Sequence, residues 1–306
     1  MIQKTTVVIE PVAPFDLALS SLVFADGNSQ VRCFQNGCFS QVIDVDGMLV
    51  WVKVFSEGTI EKPKLLLELY TDNPLVGESV QRVQEVVNRI FSLNMPLKPF
   101  YDYVCGDDVM SQIVRKLCGF KFPTTPSVFE ALVDAIVEQQ ISIKVARVIE
   151  ERLALMFGKS LIVNQEEFFV FPSAEALTEA GVERIRQAGL SLRKAEYIHG
   201  AAQLIVKGDL DFGKLSGKCS EEVISVLDEV KGVGVWSAEL TLLRGMGRFD
   251  VLPADDFGIR RAISRYYCGG QSIKASEARK LAEAWGNWKG LAGFYLIIAE
   301  VLNITF

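Results

Sequence analysis

Short runs of β-branched and aromatic residues alternate with turn signals at the start of the chain. Five runs have strand character, and the Asp46-Gly47 pair between two of them is typical of a tight β-hairpin turn. A stretch that begins near Asp16 has helical spacing instead. The strand runs are TTVVIE, VRCFQ, CFSQVIDV, MLVWVKVF and LLLELY. The pattern therefore predicts a domain of mixed α/β structure over residues 1–92.

From residue 76 onwards the apolar positions follow the period of an amphipathic helix. Val83, Val87 and Ile90, for example, share one helical face. Gly, Pro and Ser residues separate such segments, so the pattern predicts an all-helical body in two parts over residues 93–306. The whole chain is therefore expected to be α+β. The further helices are predicted at 108–118, 126–140, 142–157, 174–179, 181–187, 191–206, 220–228, 235–246, 256–267 and 275–302.

The composition is that of a folded globular protein. The 306 residues are 49% hydrophobic and 23% charged, which excludes a disordered chain. No run reaches about 18 apolar residues and the N-terminus lacks signal-peptide features, so we expect a cytoplasmic protein without a membrane partner. The six cysteines are scattered without a CxxC pair, which favours reduced thiols. The single histidine, His199, excludes a His-rich metal site and is expected to be structural.

The net charge of −6 argues by itself against a nucleic-acid partner, but the charge is unevenly distributed. Residues 1–110 contain 8 basic and 14 acidic side chains and so carry the whole negative excess. Residues 184–280 contain 16 basic and 12 acidic side chains. This mild basic bias permits phosphate binding without requiring it.

The segment from residue 220 to residue 268 has the spacing of a site that holds a phosphate. One helix is predicted to end near Asp228, and the next opens at Val235 after the turn V-K-G-V-G. Gly232 and Gly234 allow a close backbone approach, and the free N–H groups of the second helix attract an anion. The same pattern also fits a plain inter-helix turn. The motif Leu-Pro-Ala-Asp-Asp follows after one short connection and begins another helix. Its presence favours the functional interpretation.

The run V-K-G-V-G-V-W-S-A followed by V-L-P-A-D-D-F-G-I-R-R-A resembles a known signature. It is the helix-hairpin-helix, Gly/Pro-rich loop and Asp signature of DNA glycosylases, and it looks most like the DNA-3-methyladenine glycosylase II family. Residues 129–146, 188–202 and 14–24 resemble three other segments of that family. The resemblance implies a hairpin at about 220–246, C-terminal helices packed near 95–125, and a monomer acting on double-stranded DNA with damaged bases.

Two adjacent carboxylates follow the Pro-containing loop. Asp255 and Asp256 do not flank one bond as an opposed glycosidase pair does, because they are chain neighbours. A helix N-cap is the simpler interpretation of such a pair. The resemblance implies that Asp256 is the catalytic acid, whose anion stabilises a developing oxocarbenium ion. A base alkylated on a ring nitrogen is already cationic, so it leaves without a general acid.

The position two residues after Gly234 distinguishes two branches of the family. Bifunctional relatives carry a nucleophilic lysine there, whereas this chain has Trp236. The resemblance therefore implies a monofunctional glycosylase without lyase activity. It also places Trp236 in the base pocket, where an aromatic face attracts a cationic base. Further pocket candidates, each also compatible with plain core packing, are Phe24, Leu240, Phe257 and Tyr295.

The resemblance also implies contacts to the DNA itself. The E-Q-Q-I-S turn places Gln140, or Ile141, where a wedge fills the gap left by the flipped nucleotide, and Gln139 where the opposite strand is read. The remaining predicted DNA contacts are Arg193, Lys194, Gly232, Gly234, Val235 and Ser237. A structural monovalent cation is implied on the main-chain oxygens of Asp228, Val230 and Val233, and no other cofactor is expected. No cysteine follows Cys268, so the four-cysteine iron–sulfur cluster of another branch is not expected.

Two alternatives stay open at this point. The same fold is compatible with removal of uracil, hypoxanthine or another neutral lesion. A protein of a different class, a non-catalytic helix-hairpin-helix DNA-binding module, uses such a hairpin only for grip. Asp256 argues against that second alternative, because an anion that faces a phosphodiester weakens binding.

Overall fold

An antiparallel sheet of five strands forms the N-terminal part of the protein, in the order β1-β5-β4-β3-β2. The computed structural model describes residues 2–22 and 29–306. Its hairpin turns at Asn36-Gly37 and Asp46-Gly47 have positive φ at both central residues, which is the geometry that matches the twist of the sheet. The strands are β1 (Gln3–Ile9), β2 (Arg32–Gln35), β3 (Cys38–Val45), β4 (Met48–Ser56) and β5 (Leu65–Thr71). All five lie where the hydrophobic pattern predicted them.

Two helices accompany this sheet. The short helix α1 (Leu17–Leu22) precedes β2, and α2 (Gly77–Phe91) follows β5. The apolar face of α2 packs on the inner side of the sheet, where Phe91 meets Phe39 edge to face with ring centroids 4.8 Å apart. Burial of this face stabilises the helix more than the intrinsic propensities of its residues do.

The rest of the chain is mainly a body of helices around one large apolar core. Its helices before the hairpin are α3 (Lys98–Tyr103), α4 (Asp108–Lys116), α5 (Val128–Glu138), α6 (Ile143–Phe157), α7 (Ala174–Arg186), α8 (Leu192–Lys207) and α9 (Phe212–Leu215). The remaining helices are α10 (Ser220–Asp228), α11 (Val235–Met246), α12 (Phe257–Tyr267), α13 (Ala275–Ala282) and α14 (Lys289–Val301). Ser side chains cap α5, α6, α7 and α8 at their N-termini. The α+β class is confirmed.

A β-hairpin interrupts the helical body, so the expectation of an all-helical body is wrong at one place. Strands β6 (Ser160–Val163) and β7 (Glu166–Phe169) are joined by Asn164 and Gln165, both with positive φ. This turn lacks the glycine that usually identifies it in a sequence. The hairpin covers the outer face of the N-terminal sheet, where Phe168 stacks on Trp51 with ring centroids 4.4 Å apart.

The prediction of one helix over 275–302 is also wrong, because the structure has two helices there, α13 and α14. Gly286 takes a positive φ in a 3₁₀ segment between α13 and α14. A Cβ at this glycine would stand 2.6 Å from the hydroxyl of Tyr103. After this break α14 enters the core, where Tyr295 donates to the Phe120 carbonyl at 2.6 Å and contacts Phe100.

A buried lysine joins the sheet part to the helical body. Lys121 is fully buried, and its ammonium group donates to the carbonyls of Val12 and Leu93 at 2.7 and 2.6 Å. Burial lowers the pKa of Lys121 to about 8. Within the described residues, no helix is long and apolar enough to cross a membrane.

Candidate active site

The hairpin between α10 and α11 is shaped by one glycine that no other residue replaces without strain. Gly232 has a φ of 89°, and a Cβ there would lie 2.1 Å from the ring of Tyr197 on α8. Its carbonyl accepts a hydrogen bond from Gln139 Nε2 at 2.8 Å. The turn is therefore packed against α8 and tied to the end of α5.

The N-terminus of α11 is open to an approaching anion. Gly234 is its N-cap, has no side chain to cap the helix, and has open space around it. The first helical bond runs from Ala238 N to Gly234 O, so the amides of Val235, Trp236 and Ser237 precede the hydrogen-bonded ladder. These amides and the helix dipole together form a site that suits a phosphate. Ser237 contributes only its amide, because its hydroxyl is buried and accepts from Gln139.

Two residues predicted to contact DNA are instead engaged inside the protein. Gln139 Nε2 donates to Gly232 O and to Ser237 Oγ, so both N–H groups of its side-chain amide are engaged inside the protein. Lys194 donates to the carbonyls of Val137 and Gln139 at 2.7 and 2.6 Å and thereby caps the end of α5. Desolvation by burial lowers the pKa of Lys194. Only the tertiary structure creates these bonds, and the DNA contacts of the two residues stay predictions.

The turn after α5 presents an exposed, partly apolar ridge. Gln140 is exposed and takes a left-handed backbone with φ of 57°, and Ile141 beside it is also exposed. Ile143 and Val145 on the first turn of α6 are about half exposed as well. The ridge lies next to the hairpin, because Gln139 bonds both to the hairpin turn and to the first turn of α11. Arg193 at the start of α8 is exposed too.

Asp256 lies where the loop of residues 251–256 enters α12. It is the N-cap of that helix, and its Oδ1 accepts from Ile259 N at 3.0 Å. The carboxylate is half-buried, and among the described residues no hydrogen bond reaches its Oδ2. Asp255 is exposed and pairs with Arg279 instead. One carboxylate oxygen of Asp256 thus holds the helix and the other is available for chemistry.

The pocket candidates fall into different environments. Trp236 is half-buried with its indole N–H unpaired, whereas Phe257 at the start of α12 is 69% exposed. Leu240 and Tyr295 are fully enclosed, so neither presents a surface to a base in this conformation. Tyr295 is a core residue, since its hydroxyl is bonded to the Phe120 carbonyl and lies 3.2 Å from that of Tyr101. The candidate Phe24 lies outside the described residues.

A stripe of buried carboxylates on α5, which is not among the predicted site residues, runs toward the same turn. Glu130, Asp134 and Glu138 recur every four residues in an otherwise apolar helix, and that spacing was the available signal. Arg32 pairs with Glu130, and Arg244 on α11 pairs with Glu138. On α6, burial together with the charge of Glu138 raises the pKa of Glu150 to about 8.

The predicted cation site stays a prediction. Val230 O already accepts from Val233 N at 2.9 Å, which leaves one lone pair for an ion. No group of three or more His, Cys, Asp or Glu side chains suited to a metal occurs in the parts of the chain that the structure describes. His199 contacts the Thr178 carbonyl at 3.2 Å from within α8, in agreement with a structural role.

The fold and the site together define a class of protein. Its features are an N-terminal sheet, a helical body with a glycine hairpin, and an aspartate at the start of the next helix. These are the helix-hairpin-helix proteins with a Gly/Pro-rich loop and an Asp. Residues 133–287 match the HhH-GPD superfamily of base excision DNA repair proteins, and the chain belongs to that superfamily. The resemblance found in the sequence is confirmed.

Individual relatives cover most of the chain. The solved structure of the 3-methyladenine DNA-glycosylase from Archaeoglobus fulgidus superposes with a TM-score of 0.86 at 29% identity, over 98% of this chain and all of that chain. The DNA-3-methyladenine glycosylase of Bacillus subtilis is 25% identical over 86% of each chain. DNA-3-methyladenine glycosylase 2 of Escherichia coli is 25% identical over 65% of this chain and 69% of its own length.

Proposed function

We propose that this protein is a DNA glycosylase of base excision repair that hydrolyses the N-glycosidic bond of alkylated purines such as 3-methyladenine. The observation that carries the proposal is the half-buried carboxylate of Asp256, which begins the next helix after the hairpin and has one oxygen unpaired among the described residues. Superfamily membership and the names of the relatives support the same reaction class. The partner is double-stranded DNA.

The hairpin amides would hold one phosphate beside the flipped nucleotide. Three main-chain N–H groups at the start of α11 bind it without a cation, which suits a chain of net charge −6. The exposed side chains of Gln140 and Ile141 would fill the gap in the duplex. Flipping costs a few kcal/mol and costs least for a damaged base, so it favours lesions over normal nucleotides.

Asp256 would act as an anion near the sugar. Its unpaired oxygen would face positive charge as the deoxyribose becomes oxocarbenium-like. The same oxygen would orient the attacking water and accept its proton. A cationic base then departs with its electron pair and needs no proton. Trp236 would stack on that base.

We further propose that the enzyme is monofunctional. Trp236 occupies the position where bifunctional relatives carry a lysine, and an indole does not form the Schiff base on which strand cleavage depends. The preference for cationic over neutral lesions rests on the same side chain, since a π face attracts a cation.

A base-release panel tests these proposals. Single-turnover release is measured from duplexes that contain 3-methyladenine, hypoxanthine or uracil, and fastest release of 3-methyladenine is expected. Asp256→Asn should lower that rate by at least about 100-fold, while binding to an abasic-site duplex persists. Borohydride added to the wild-type reaction should trap no covalent DNA adduct.

The neighbouring substitution Asp255→Asn is the matched control and should cost far less. Wild-type release by Asp256→Asn would overturn the catalytic assignment. Faster release of uracil or hypoxanthine would favour the neutral-lesion alternative, and a trapped adduct would establish lyase activity. Binding without any base release would identify a non-catalytic module.

A further inference from the structure

One arginine forms hydrogen bonds both to the helix-hairpin-helix and to the loop of residues 251–256, although it belongs to neither. Arg279 lies on α13, and its guanidinium donates to both carboxylate oxygens of Glu239, at 2.6 and 3.1 Å. It also donates to Leu252 O at 3.1 Å and to Asp255 Oδ2 at 3.2 Å. A single planar group thus makes four hydrogen bonds to two separate segments of the chain.

The two segments are the ones that the proposed reaction must align. Glu239 is on α11, one helical turn after Val235, where the phosphate-binding amides lie. Leu252 and Asp255 belong to the loop that ends at Asp256. Phosphate and sugar are parts of one nucleotide, so the distance between the hairpin amides and the carboxylate sets how well the anion meets the developing charge.

The Glu239 end of the contact is anchored in the interior. The side chain of Glu239 is only 4% exposed, and a buried carboxylate needs a partner. Arg279 is that partner, bound in a two-oxygen geometry that fixes the plane of the guanidinium. The loop end is different, because Asp255 is mostly exposed. The arginine is therefore held by α11, and it holds the loop.

We propose that Arg279 is the positioning residue of the active site, which clamps the loop of residues 251–256 to α11 and so places Asp256 beside the phosphate-binding amides. The inference rests on the proposed glycosylase function. It assigns the exposed Asp255 a role that the catalytic scheme leaves unexplained, as the loop's side-chain anchor for the arginine.

The test separates positioning from folding. Arg279→Met alone leaves Glu239 buried without a partner and can unfold the protein, so the main variant is the double substitution Glu239→Met with Arg279→Met, which removes both charges. Asp255→Asn removes only the loop anchor. The control is Arg261→Met, because Arg261 makes a similar pair with Glu300 on α14 but no bond to the loop.

Single-turnover release of 3-methyladenine is measured against DNA concentration. The double variant should lose about 10- to 100-fold in the rate at saturating DNA, with the half-saturating DNA concentration unchanged. Asp255→Asn should lose less, and should add nothing when combined with the double variant. Arg261→Met should match the wild type.

A folded double variant that releases base at the wild-type rate would overturn the inference, as would a loss confined to DNA binding. An effect of Asp255→Asn that persists in the double variant would do the same. If the wild-type protein releases no base at all, the proposed function fails and the inference fails with it. An active wild type with an equally active double variant removes only the inference.

Discussion

Asp256 combines a structural role, as the N-cap of α12, with a proposed catalytic role. Its Oδ1 caps α12, and Asn and Asp cap helices about equally well. Asp256→Asn therefore preserves the cap while removing the charge, whereas Asp256→Ala removes both and costs about 1 kcal/mol of folding free energy as well. The asparagine variant is the one that isolates catalysis.

The two hairpin glycines offer a matched pair of substitutions. Gly232→Ala should lower the free energy of unfolding by more than about 1 kcal/mol, because its φ is positive and its Cβ would meet the Tyr197 ring. Gly234→Ala should leave stability unchanged, since its φ is negative and the space around it is open. It should instead weaken binding to an abasic-site duplex, because the methyl group stands where a phosphate approaches.

Urea denaturation and DNA titration of both variants check this pair. Equal stability losses for the two would contradict the assignment of separate roles. Undiminished DNA binding by a folded Gly234→Ala protein would remove the amide site from the proposed interface.

Part of the candidate site could be predicted from local sequence and part could not. Gly232, Gly234 and the cap at Asp256 follow from turn and helix-start chemistry, which acts over a few residues. The internal hydrogen bonds of Gln139 and Lys194 could not be predicted, because their acceptors lie 55 or more positions away along the chain. For Tyr295 the sequence left pocket and core both open, because an aromatic residue in a helix has the same signal whether it lines a pocket or a core.

At the scale of elements, helices and strands were predicted correctly where residues with a clear turn signal separate them. Strands β2 to β4 were found because Asn-Gly and Asp-Gly turns separate them. The β6–β7 turn consists of Asn164 and Gln165, which both have positive φ although neither is a glycine. The local sequence therefore gave no signal for this hairpin. The break at Gly286 was missed because an isolated glycine inside a helical pattern is usually tolerated.

The carboxylate stripe shared by α5 and α6 makes stability depend on pH. Burial and the charge of Glu138 raise the pKa of Glu150 to about 8, against an ordinary value near 4.5. Between these values the folded protein holds a proton that the unfolded chain has released. The contribution of Glu150 is therefore fully present below pH 4.5 and is lost as the pH rises towards 8.

Glu150→Gln should flatten this slope, which for one proton is at most about 1.4 kcal/mol per pH unit. The measurement is the free energy of unfolding in urea at intervals from pH 5 to pH 8. Glu151→Gln, one residue further on α6, is the control and should keep the wild-type slope. A slope unchanged in the Glu150→Gln protein would show that other groups cause it.

At the scale of the whole molecule, an acidic chain is proposed to bind a polyanion. Negative charge is concentrated in residues 1–110, whereas the hairpin and the loop before α12 lie in the part with a mild basic excess. Main-chain amides supply the phosphate contact, and amides release fewer counterions than lysine or arginine contacts do. Binding is therefore expected to depend only weakly on salt.

Arg193 and Lys194 make this expectation specific. Arg193 is exposed at the start of α8, so Arg193→Gln should reduce the slope of log K against log salt concentration by about 1. Lys194 bonds to two carbonyls, so Lys194→Gln should leave the slope unchanged and lower stability instead. Titrations of an abasic-site duplex across a range of salt concentrations decide between them, and a change of slope only in the lysine variant would reverse the two roles.

The β6–β7 hairpin has a consequence for how the chain is divided. The first 92 residues include a complete sheet, but the outer face of that sheet, with Trp51 and Val42, is covered by side chains from Leu161 to Val170. Truncation after the second helix would expose that face to water and leave a fragment prone to self-association. The N-terminal domain is therefore complete only when the β6–β7 hairpin, some seventy positions further along the chain, packs against its sheet.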